Sequence, residues 1–358
     1  MATEFHKITV REIDKTTSDC SIITLDIPAE LKEEFKYIQG QYLTFKKDIN
    51  NEDIRRSYSL CSSPLDDEWK VGIKKVENGR FSTYANEVLQ AGDTIEVMAP
   101  TGSFYVHTDA TADRNYIAFA AGSGITPILS IIKTHLQAEP QSSFKLFYTN
   151  QRVSSIILKE ELEALKNMYM GRFEIFHFLT KQNRGIPLYN GRMNKEKLDI
   201  IFSSIADPQS IDHVFSCGPE AMIFLVRDYL IAKGLDKSQI HYELFGSSTD
   251  ATSAQKEEIK KQLQGKVCDI TIIEGGKSME FSIEQGSNNL LDAALDNNAD
   301  LPFACKGGVC ATCKAKLVEG DVNMLLSYGL EEDEIEKGYI LTCQSIPTTD
   351  KVVVDFDV

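Results

Sequence analysis

Four cysteines near the carboxyl end constrain the fold of this chain more than any other feature. Cys305, Cys310 and Cys313 occur in the stretch CKGGVCATC, with four and then two residues between them, and Cys343 follows after twenty-nine more. Structural zinc sites favour two closely spaced pairs of ligands, and the second pair here is widely spaced. The spacing is typical of a [2Fe–2S] cluster, in which four thiolates hold two irons. We therefore predict a [2Fe–2S] centre, with a zinc site as the alternative.

The residues around these cysteines agree with a loop that wraps a cluster. Gly307 and Gly308 carry no Cβ, so backbone N–H groups there can approach the sulfur atoms closely. Two alternating strands flank the Gly275–Gly276 turn upstream, and a helix follows with Leu290 and Leu291 on its apolar face. Further strand-like runs come after the loop. This order of elements resembles a plant-type ferredoxin domain, which implies an α+β β-grasp fold over residues 266–358.

Length and charge limit the number of domains and the kinds of partner. The 358 residues are too many for one ordinary core and predict two or three domains. The net charge of -15 disfavours nucleic acid and anionic membranes as partners. No apolar run approaches the ~18 residues of a membrane span, and the first residues lack the apolar region of a signal peptide. We therefore expect a cytoplasmic protein.

Two patterns upstream predict two further domains. Residues 1–108 contain short alternating runs separated by turn residues, which predicts a small antiparallel β-barrel. Residues 109–246 alternate apolar strand-like runs with helical patterns, which predicts a parallel α/β domain. Residues 247–265 are polar and lack aromatics, which indicates a linker.

Two motifs in the first domain point to a flavin nucleotide. In RRSYSL, Arg56 and Tyr58 share one face of a strand, where an arginine can pair with phosphate and a tyrosine can lie on a flavin ring. In NGRFS, Gly79 turns the chain and Ser82 is predicted to cap a helix that runs to about Leu89, whose N-terminus could hold a pyrophosphate. Taken alone, the first motif is more often ordinary strand packing, and the second is more often an ordinary capped helix.

Two glycine-containing turns in the second domain point to a nucleotide. In FAAGSGITP an apolar strand meets Gly122 and Gly124, and Pro127 lies just inside the next helix, where its fixed φ is favourable. In SCGPEAM, Gly218 occupies the same position after a later strand. Neither turn has the full dinucleotide-binding pattern, so each is a weak signal alone.

The order of these motifs is more specific than any one of them. RSYS, GRFS, AGSGITP, CGP and a final aromatic resemble the ferredoxin–NADP reductase superfamily. With the ferredoxin-like domain, the whole chain resembles the reductase components of multicomponent oxygenases. This implies an NAD(P)H-dependent oxidoreductase that passes electrons through FAD and a [2Fe–2S] cluster to an oxygenase, with a diiron oxygenase favoured and a ring-hydroxylating oxygenase or a desaturase as alternatives. An electron carrier or redox sensor with inactive flavin domains is the alternative of another class, and the intact RSYS and GRFS motifs speak against it.

The resemblance also implies a role for each motif. Arg56 would bind the FAD pyrophosphate, and Tyr58 and Ser59 would contact the isoalloxazine. The FAD phosphates would be held by Gly79, Arg80, Phe81 and Ser82. The nicotinamide nucleotide would be lined by Gly122, Gly124, Thr126, Pro127, Cys217, Gly218 and Pro219. Glu243 and Phe245 would close over the other flavin face, so the candidate catalytic residues are Tyr58, Ser59, Cys217, Glu243 and Phe245.

The choice between NADPH and NADH depends on residues after two strands. Arg152, Thr180 and Lys181 could bind a 2′-phosphate, and no acidic residue directly follows Thr180 to bind a free ribose diol. We therefore favour NADPH, with NADH as the alternative.

Overall fold

The computed structural model describes residues 4–246, 257–263 and 265–357. The chain divides into two compact units, one of Phe5–Phe245 and one that starts at Gly246 and contains the cysteine cluster. The predicted linker lies largely outside the described residues, and its part at 257–263 is helical (α6). None of the helices in the described ranges has the length and apolar character that a membrane crossing requires. The cytoplasmic location and the domain boundaries at 108, 246 and 265 stay predictions.

The first half of the larger unit is an antiparallel sheet, as the alternating runs predict. Its elements are β1 (Phe5–Thr17), β2 (Cys20–Asp26), β3 (Tyr42–Asp48), β4 (Asp53–Ser59), β5 (Trp69–Lys74), α1 (Arg80–Glu87) and β6 (Thr94–Thr101). The strands pair in the order β4–β3–β6–β1–β2–β5. A bridge between Leu60 and Val71 joins the end of β4 to β5, so the two outer strands meet and the sheet closes into a barrel.

The second half of the larger unit is a parallel sheet with helices on both faces. Its elements are β7 (Asn115–Ala121), α2 (Ile125–Ala138), β8 (Ser143–Asn150), α3 (Lys159–Met168), β9 (Phe173–Leu179), α4 (Lys195–Ser204), β10 (His213–Gly218), α5 (Glu220–Ala232) and β11 (Ile240–Leu244). The strand order is β11–β10–β7–β8–β9, with every pair parallel. From β7 the chain adds β8 and β9 on one side of the sheet and then returns to add β10 and β11 on the other side. Such a topological switch point, here between β7 and β10, forms a ligand crevice at the carboxyl ends of the strands.

The barrel and the parallel sheet share one buried core. Cys20, Cys61 and Phe104 come from the barrel side and pack in the same cluster as Ile128 and Ile131 of α2. The two halves therefore contact each other through α2.

The smaller unit has the β-grasp order that the ferredoxin resemblance implies. Its elements are β12 (Val267–Glu274), β13 (Lys277–Glu284), α7 (Leu290–Asp296), β14 (Lys314–Glu319), β15 (Val322–Met324), α8 (Glu332–Glu336), β16 (Tyr339–Leu341), β17 (Ser345–Pro347) and β18 (Lys351–Asp355). The main sheet has the order β13–β12–β18–β14–β16, with β12 and β18 parallel, and β15 pairs with β17. The predicted helix buries Leu290 and Leu291 in the core of this unit.

Candidate flavin, nucleotide and iron–sulfur sites

The two arginines of the flavin motif point to opposite faces of β4, because side chains alternate along a strand. Arg55 points into the protein, where it forms an ion pair with Asp53 at 2.9 Å. Arg56 is exposed and lies on the same face as Tyr58, two residues away. Of the two arginines, only Arg56 is accessible to an anionic ligand, and its contact with the FAD pyrophosphate stays a prediction.

The helix after this motif begins three residues earlier than the sequence predicts. Asn78 has a φ of 57°, so the chain turns there and Gly79 becomes the N-cap of α1. The prediction that Ser82 caps the helix is wrong, because Ser82 lies inside the first turn and its hydroxyl accepts the backbone N–H of Val76 at 3.2 Å. The helix ends at Glu87, before Leu89. A Cβ at position 79 would lie 2.4 Å from Ser82 Oγ, which explains the glycine.

The start of α1 fits an FAD diphosphate. No side chain caps the helix at Gly79, so the first N–H groups are open to a ligand and carry the positive end of the helix dipole. The Arg80 side chain is exposed and pairs with Glu52. The ring centroids of Phe81 and Tyr58 are 5.6 Å apart, so the GRFS and RSYS motifs are in contact, and the Phe81 ring itself is buried.

The nucleotide turns lie side by side at the switch point of the parallel sheet. Gly122–Gly124 form a 3-10 turn directly before α2, and Pro127 is in the first turn of that helix, as predicted. A Cβ on Gly124 would lie 2.1 Å from the carbonyl oxygen of Cys217, at the end of β10. The close approach of these two turns requires a glycine at position 124.

Thr126 and Pro127 are both buried, so their side chains do not line an open surface. The Thr126 hydroxyl donates to the Ser123 carbonyl at 2.9 Å. Its methyl group lies 2.6 Å from where a Cβ on Gly72 of β5 would be. Thr126 therefore fixes the turn and its contact with the barrel, and a direct contact with the nucleotide stays a prediction.

Three predicted catalytic residues come together where the barrel meets β10 and β11. Ser59 Oγ donates to Glu243 Oε2 at 3.0 Å, although 184 residues separate them. Cys217 and Glu243 are partners on adjacent parallel strands. Burial raises the pKa of the Glu243 carboxyl to about 8, against the lowering effect of the Ser59 hydrogen bond. Burial also raises the pKa of the Cys217 thiol well above its usual value, so this thiol stays neutral.

The raised pKa of Glu243 gives a pH dependence with a defined sign. Between pH 4.5 and about 8 the folded protein holds a proton that the unfolded chain has released, so this group's contribution to stability falls as pH rises through that window. Glu243→Gln removes the titration. We expect the melting temperature of the wild type, relative to this variant, to fall by on the order of 10 °C between pH 5 and pH 8.5. Parallel melting curves across that range would contradict the assignment.

Phe245 and the Gly218–Pro219 turn lie at the ends of β11 and β10, and their contacts with the cofactors stay predictions. Phe245 directly follows β11 and is 45% exposed, so its ring is available to cover a flat ligand. Gly218 has a φ of 155°, and a Cβ there would lie 2.9 Å from the Cβ of Ala121. Pro219 is the N-cap of α5.

The loops after β8 and β9 lie next to each other at the same edge of the sheet. The N–H of Thr180 donates to Asn150 O at 2.9 Å, and that of Lys181 donates to Gln151 O at 2.8 Å. Arg152 and Lys181 are exposed on these loops. The structure therefore brings together the cations that the sequence proposes for a 2′-phosphate.

Three buried polar atoms near these strand ends have no hydrogen-bond partner in the part of the chain that the structure describes. They are Thr149 Oγ1, Asn150 Nδ2 and Ser216 Oγ. Buried polar groups are rarely left unpaired unless a ligand or water completes them. With the open turns beside them, they fit a bound nucleotide.

Lys74 is a candidate site residue that the sequence reasoning missed. It ends β5, and its Nζ lies 3.9 Å from where a Cβ on Gly122 would be. Its nearest carboxylate is Asp19, at 3.6 Å. A cation at this turn can pair with a nucleotide phosphate. The only sequence signal is a pair of consecutive lysines, Lys74 and Lys75, at the end of an alternating run.

The four predicted cluster ligands form two pairs. Cys310 Sγ lies 3.1 Å from Cys305 Sγ, and the Cys313 thiol hydrogen-bonds to Cys343. No three His, Cys, Asp or Glu side chains in the described ranges are placed to hold a single metal ion. Two pairs of thiols fit two irons with two thiolates each, which favours [2Fe–2S] over zinc.

The backbone of the cysteine loop supplies hydrogen-bond donors to sulfur. The N–H of Gly307 donates to Cys305 Sγ at 3.3 Å. The hydrogen bond from Cys310, together with backbone N–H groups, lowers the pKa of Cys305 to about 5. Donors of this kind stabilise thiolate ligands. Cys305 is also the least buried of the four cysteines.

Two glycines let the loop close. Gly308 has a φ of 72°, in the left-handed region that favours glycine. A Cβ on Gly329 would lie 2.7 Å from the carbonyl oxygen of Cys310. Gly308 can be identified from the cysteine motif, whereas Gly329 lies outside that motif and has no local sequence signal.

The chain combines three features: a barrel with an open helix start for flavin phosphates, a nucleotide crevice and two pairs of thiols. Together they define the class of reductases that use a pyridine nucleotide, a flavin and an iron–sulfur cluster. Comparison with known proteins agrees for each part. Family models for an oxidoreductase FAD-binding domain match residues 7–105, for an oxidoreductase NAD-binding domain residues 119–228, and for a 2Fe-2S iron-sulfur cluster binding domain residues 272–348.

Similar proteins of about the same length are components of oxygenase systems. A subunit of 1,2-phenylacetyl-CoA epoxidase from Escherichia coli (strain K12) is 41% identical over 99% of this chain and 98% of its own length. The ferredoxin reductase component of 3-ketosteroid-9-alpha-monooxygenase from Rhodococcus rhodochrous is 31% identical over 98% and 96%. Phthalate dioxygenase reductase has the same fold, with a TM-score of 0.60, 24% identity and 98% coverage of both chains.

The chain belongs to the family of oxygenase reductase components that combine FAD-binding, NAD-binding and plant-type [2Fe–2S] domains. It is an oxidoreductase that uses FAD, a [2Fe–2S] cluster and a pyridine nucleotide. The prediction of this family from the order of the motifs is confirmed, and so is the prediction of a [2Fe–2S] centre.

Proposed function

We propose that the chain supplies electrons to an oxygenase of the phenylacetyl-CoA epoxidase type, in phenylacetate catabolism. The observation that carries this proposal is the 41% identity to the Escherichia coli protein over nearly the full length of both chains. Identity to the ketosteroid monooxygenase component is lower over a similar length. The oxygenase is proposed to contain a diiron centre.

The cofactors supply the redox chemistry, since a flavin accepts an electron pair from a nicotinamide and can pass single electrons to an iron–sulfur cluster. The residues of the chain hold and orient them. Arg56 and the first turn of α1 bind the FAD diphosphate. Tyr58 and Phe245 enclose the isoalloxazine, and Lys74 pairs with a nucleotide phosphate.

Ser59 and Glu243 hold a proton beside the flavin. With a pKa of about 8, the Glu243 carboxyl is mostly protonated at neutral pH. It therefore places no full negative charge in a site that must accept negative charge from the nicotinamide. The hydrogen bond with Ser59 fixes the orientation of both groups.

The nucleotide is proposed to be NADPH, bound through its 2′-phosphate by Lys181 and Arg152. Lys181→Ala is expected to raise the Michaelis constant for NADPH about tenfold, because it removes a charge-assisted contact, while the constant for NADH changes little. Lys166→Ala, which removes an exposed lysine at the far end of α3, is the matched control. Equal effects of Lys181→Ala on both nucleotides would reject the assignment.

Reconstitution with purified oxygenases tests the choice of acceptor. The purified chain with NADPH is combined either with the oxygenase component of phenylacetyl-CoA epoxidase or with a ring-hydroxylating oxygenase, and product formation is measured. We expect turnover with the first and at most slow turnover with the second. Ferricyanide reduction measured in parallel separates a wrong acceptor from an inactive reductase.

A further inference from the structure

Helix α2 carries polar side chains on the face that packs against the barrel. Ser130, Thr134 and His135 are polar, yet each is at most 3% exposed, because they lie in the middle of the larger unit. Buried hydroxyls lower stability unless they are hydrogen-bonded, so each needs a defined partner. Ser130 and Thr134 each have a partner on the barrel side of the interface, whereas His135 Nδ1 pairs with Glu139 at 3.0 Å, just after the end of α2.

The hydroxyl groups form a directed chain of hydrogen bonds. Ser130 Oγ donates to the carbonyl of Ser62 at 2.6 Å. Thr134 Oγ1 donates to the carbonyl of Ser130 at 2.7 Å and lies 2.8 Å from Ser63 Oγ. Because the Thr134 hydroxyl proton is already used, Ser63 must be the donor to Thr134. We call Ser62, Ser63, Ser130 and Thr134 the hydroxyl seam.

The hydroxyl seam lies between the flavin strand and the nucleotide turn. Ser62 and Ser63 follow Ser59 by three and four residues on the same stretch of chain. Ser130 is six residues after Gly124, about 9 Å along the helix that this turn begins. The seam therefore links the segment that carries the flavin-side serine to the helix that carries the nucleotide turn.

Two further contacts fix the same helix against the barrel side. Lys133 forms an ion pair with Asp66 at 2.7 Å. His135 Nε2 lies 3.3 Å from Gln39 Nε2, and that amide donates to the carbonyl of Val106 at 2.7 Å. Apolar packing alone tolerates small sliding of a helix, whereas hydrogen bonds between buried groups are satisfied in one register only.

We infer that Ser130 and Thr134 are positioning residues for hydride transfer: their hydrogen bonds to Ser62 and Ser63 set the register of α2 and hence the position of the nucleotide turn relative to the flavin. The inference rests on the reductase activity of the family and does not depend on which oxygenase is served. Both residues are buried and lie outside the flavin and nucleotide motifs.

Thr134→Val tests the inference, because it keeps the shape of the side chain and removes its hydroxyl. We expect the rate of flavin reduction by NADPH, measured by stopped flow without an oxygenase, to fall about tenfold, since small misplacements of reacting groups are costly. Thr134→Ser restores the hydroxyl and is expected to restore the rate. Ser203→Ala, which removes an exposed hydroxyl bonded within its own helix α4, is expected to match the wild type.

A double-mutant cycle that combines Ser63→Ala with Thr134→Val adds a second criterion. Since Ser63 and Thr134 share one hydrogen bond, the double variant is expected to lose no more rate than Thr134→Val alone. FAD content and melting temperature are measured for every variant. A wild-type rate in Thr134→Val, a failure of Thr134→Ser to restore the rate, or a melting temperature that falls while the rate stays constant would each overturn the inference. Ser130→Ala provides a second variant if Thr134→Val does not fold.

A wild-type protein that binds FAD but is not reduced by NADPH or NADH would instead contradict the reductase activity itself. That outcome is visible before any variant is compared. The two failures are therefore distinguishable in one set of measurements.

Discussion

Cys310→Ser is expected to remove the [2Fe–2S] cluster and to reduce electron delivery to the oxygenase to background, while reduction of ferricyanide by NADPH continues. Cys310 is buried and paired with Cys305, so its loss leaves one iron with a single thiolate from that pair. The FAD and nucleotide residues lie in the other compact unit and remain unchanged. Iron and acid-labile sulfide content, the visible spectrum and both activities provide the measurement.

Cys268→Ser is the matched control for this variant. Cys268 is a fully buried cysteine on β12 of the same unit, and it is not one of the four paired thiols. We expect this variant to keep its iron, its sulfide and its electron delivery. Full cluster content in Cys310→Ser, or loss of ferricyanide reduction with FAD still bound, would show that the ligand set or the order of electron transfer is wrong.

The cluster residues could be predicted from sequence because their signal is local. Three of the four cysteines occur within nine residues, and the spacing reflects one loop around one centre. The strands of the barrel and the apolar strands of the parallel sheet were predicted for the same reason, since alternation and apolar runs are properties of neighbouring residues.

The residues that the sequence reasoning missed depend on contacts between distant segments. Lys74 reaches the Gly122 turn only because β5 packs beside the parallel sheet, and Gly329 is required only because Cys310 lies next to it. The error at Ser82 was local, because Asn78 adopts a left-handed conformation and starts the helix at Gly79. A serine three residues inside a helix and a serine at its N-cap are difficult to distinguish without that backbone angle.

Gly124→Ala is expected to lower the rate of flavin reduction by NADPH by about 100-fold, with FAD and cluster content unchanged. The new Cβ would lie 2.1 Å from the carbonyl oxygen of Cys217 and 2.5 Å from its carbonyl carbon. Both are backbone atoms of β10 and cannot swing aside, so the turn must move away. A displacement on the order of 1 Å between reacting groups can reduce a rate by this factor.

Stopped-flow reduction by NADPH measures the effect, and chemical reduction with dithionite shows whether the flavin and cluster remain competent. Gly246→Ala is the control, because a Cβ there meets no atom of the described residues within 4 Å. A wild-type rate in Gly124→Ala would show that the contact with Cys217 does not position the nucleotide turn. Loss of FAD from the variant would show that the turn also supports the flavin, contrary to the division of roles proposed above.

Gly124 is a sharper test than its neighbour Gly122 because of its backbone angles. Gly122 has a φ of 55°, so any substitution there strains the backbone in addition to changing contacts. Gly124 has φ -60° and ψ -8°, which alanine adopts readily. The effect of Gly124→Ala therefore reports the close approach of the Gly124 turn to Cys217, without a contribution from backbone strain at position 124. Since those turns belong to β7 and β10, the variant tests whether the switch point of the parallel sheet positions the nicotinamide for the flavin.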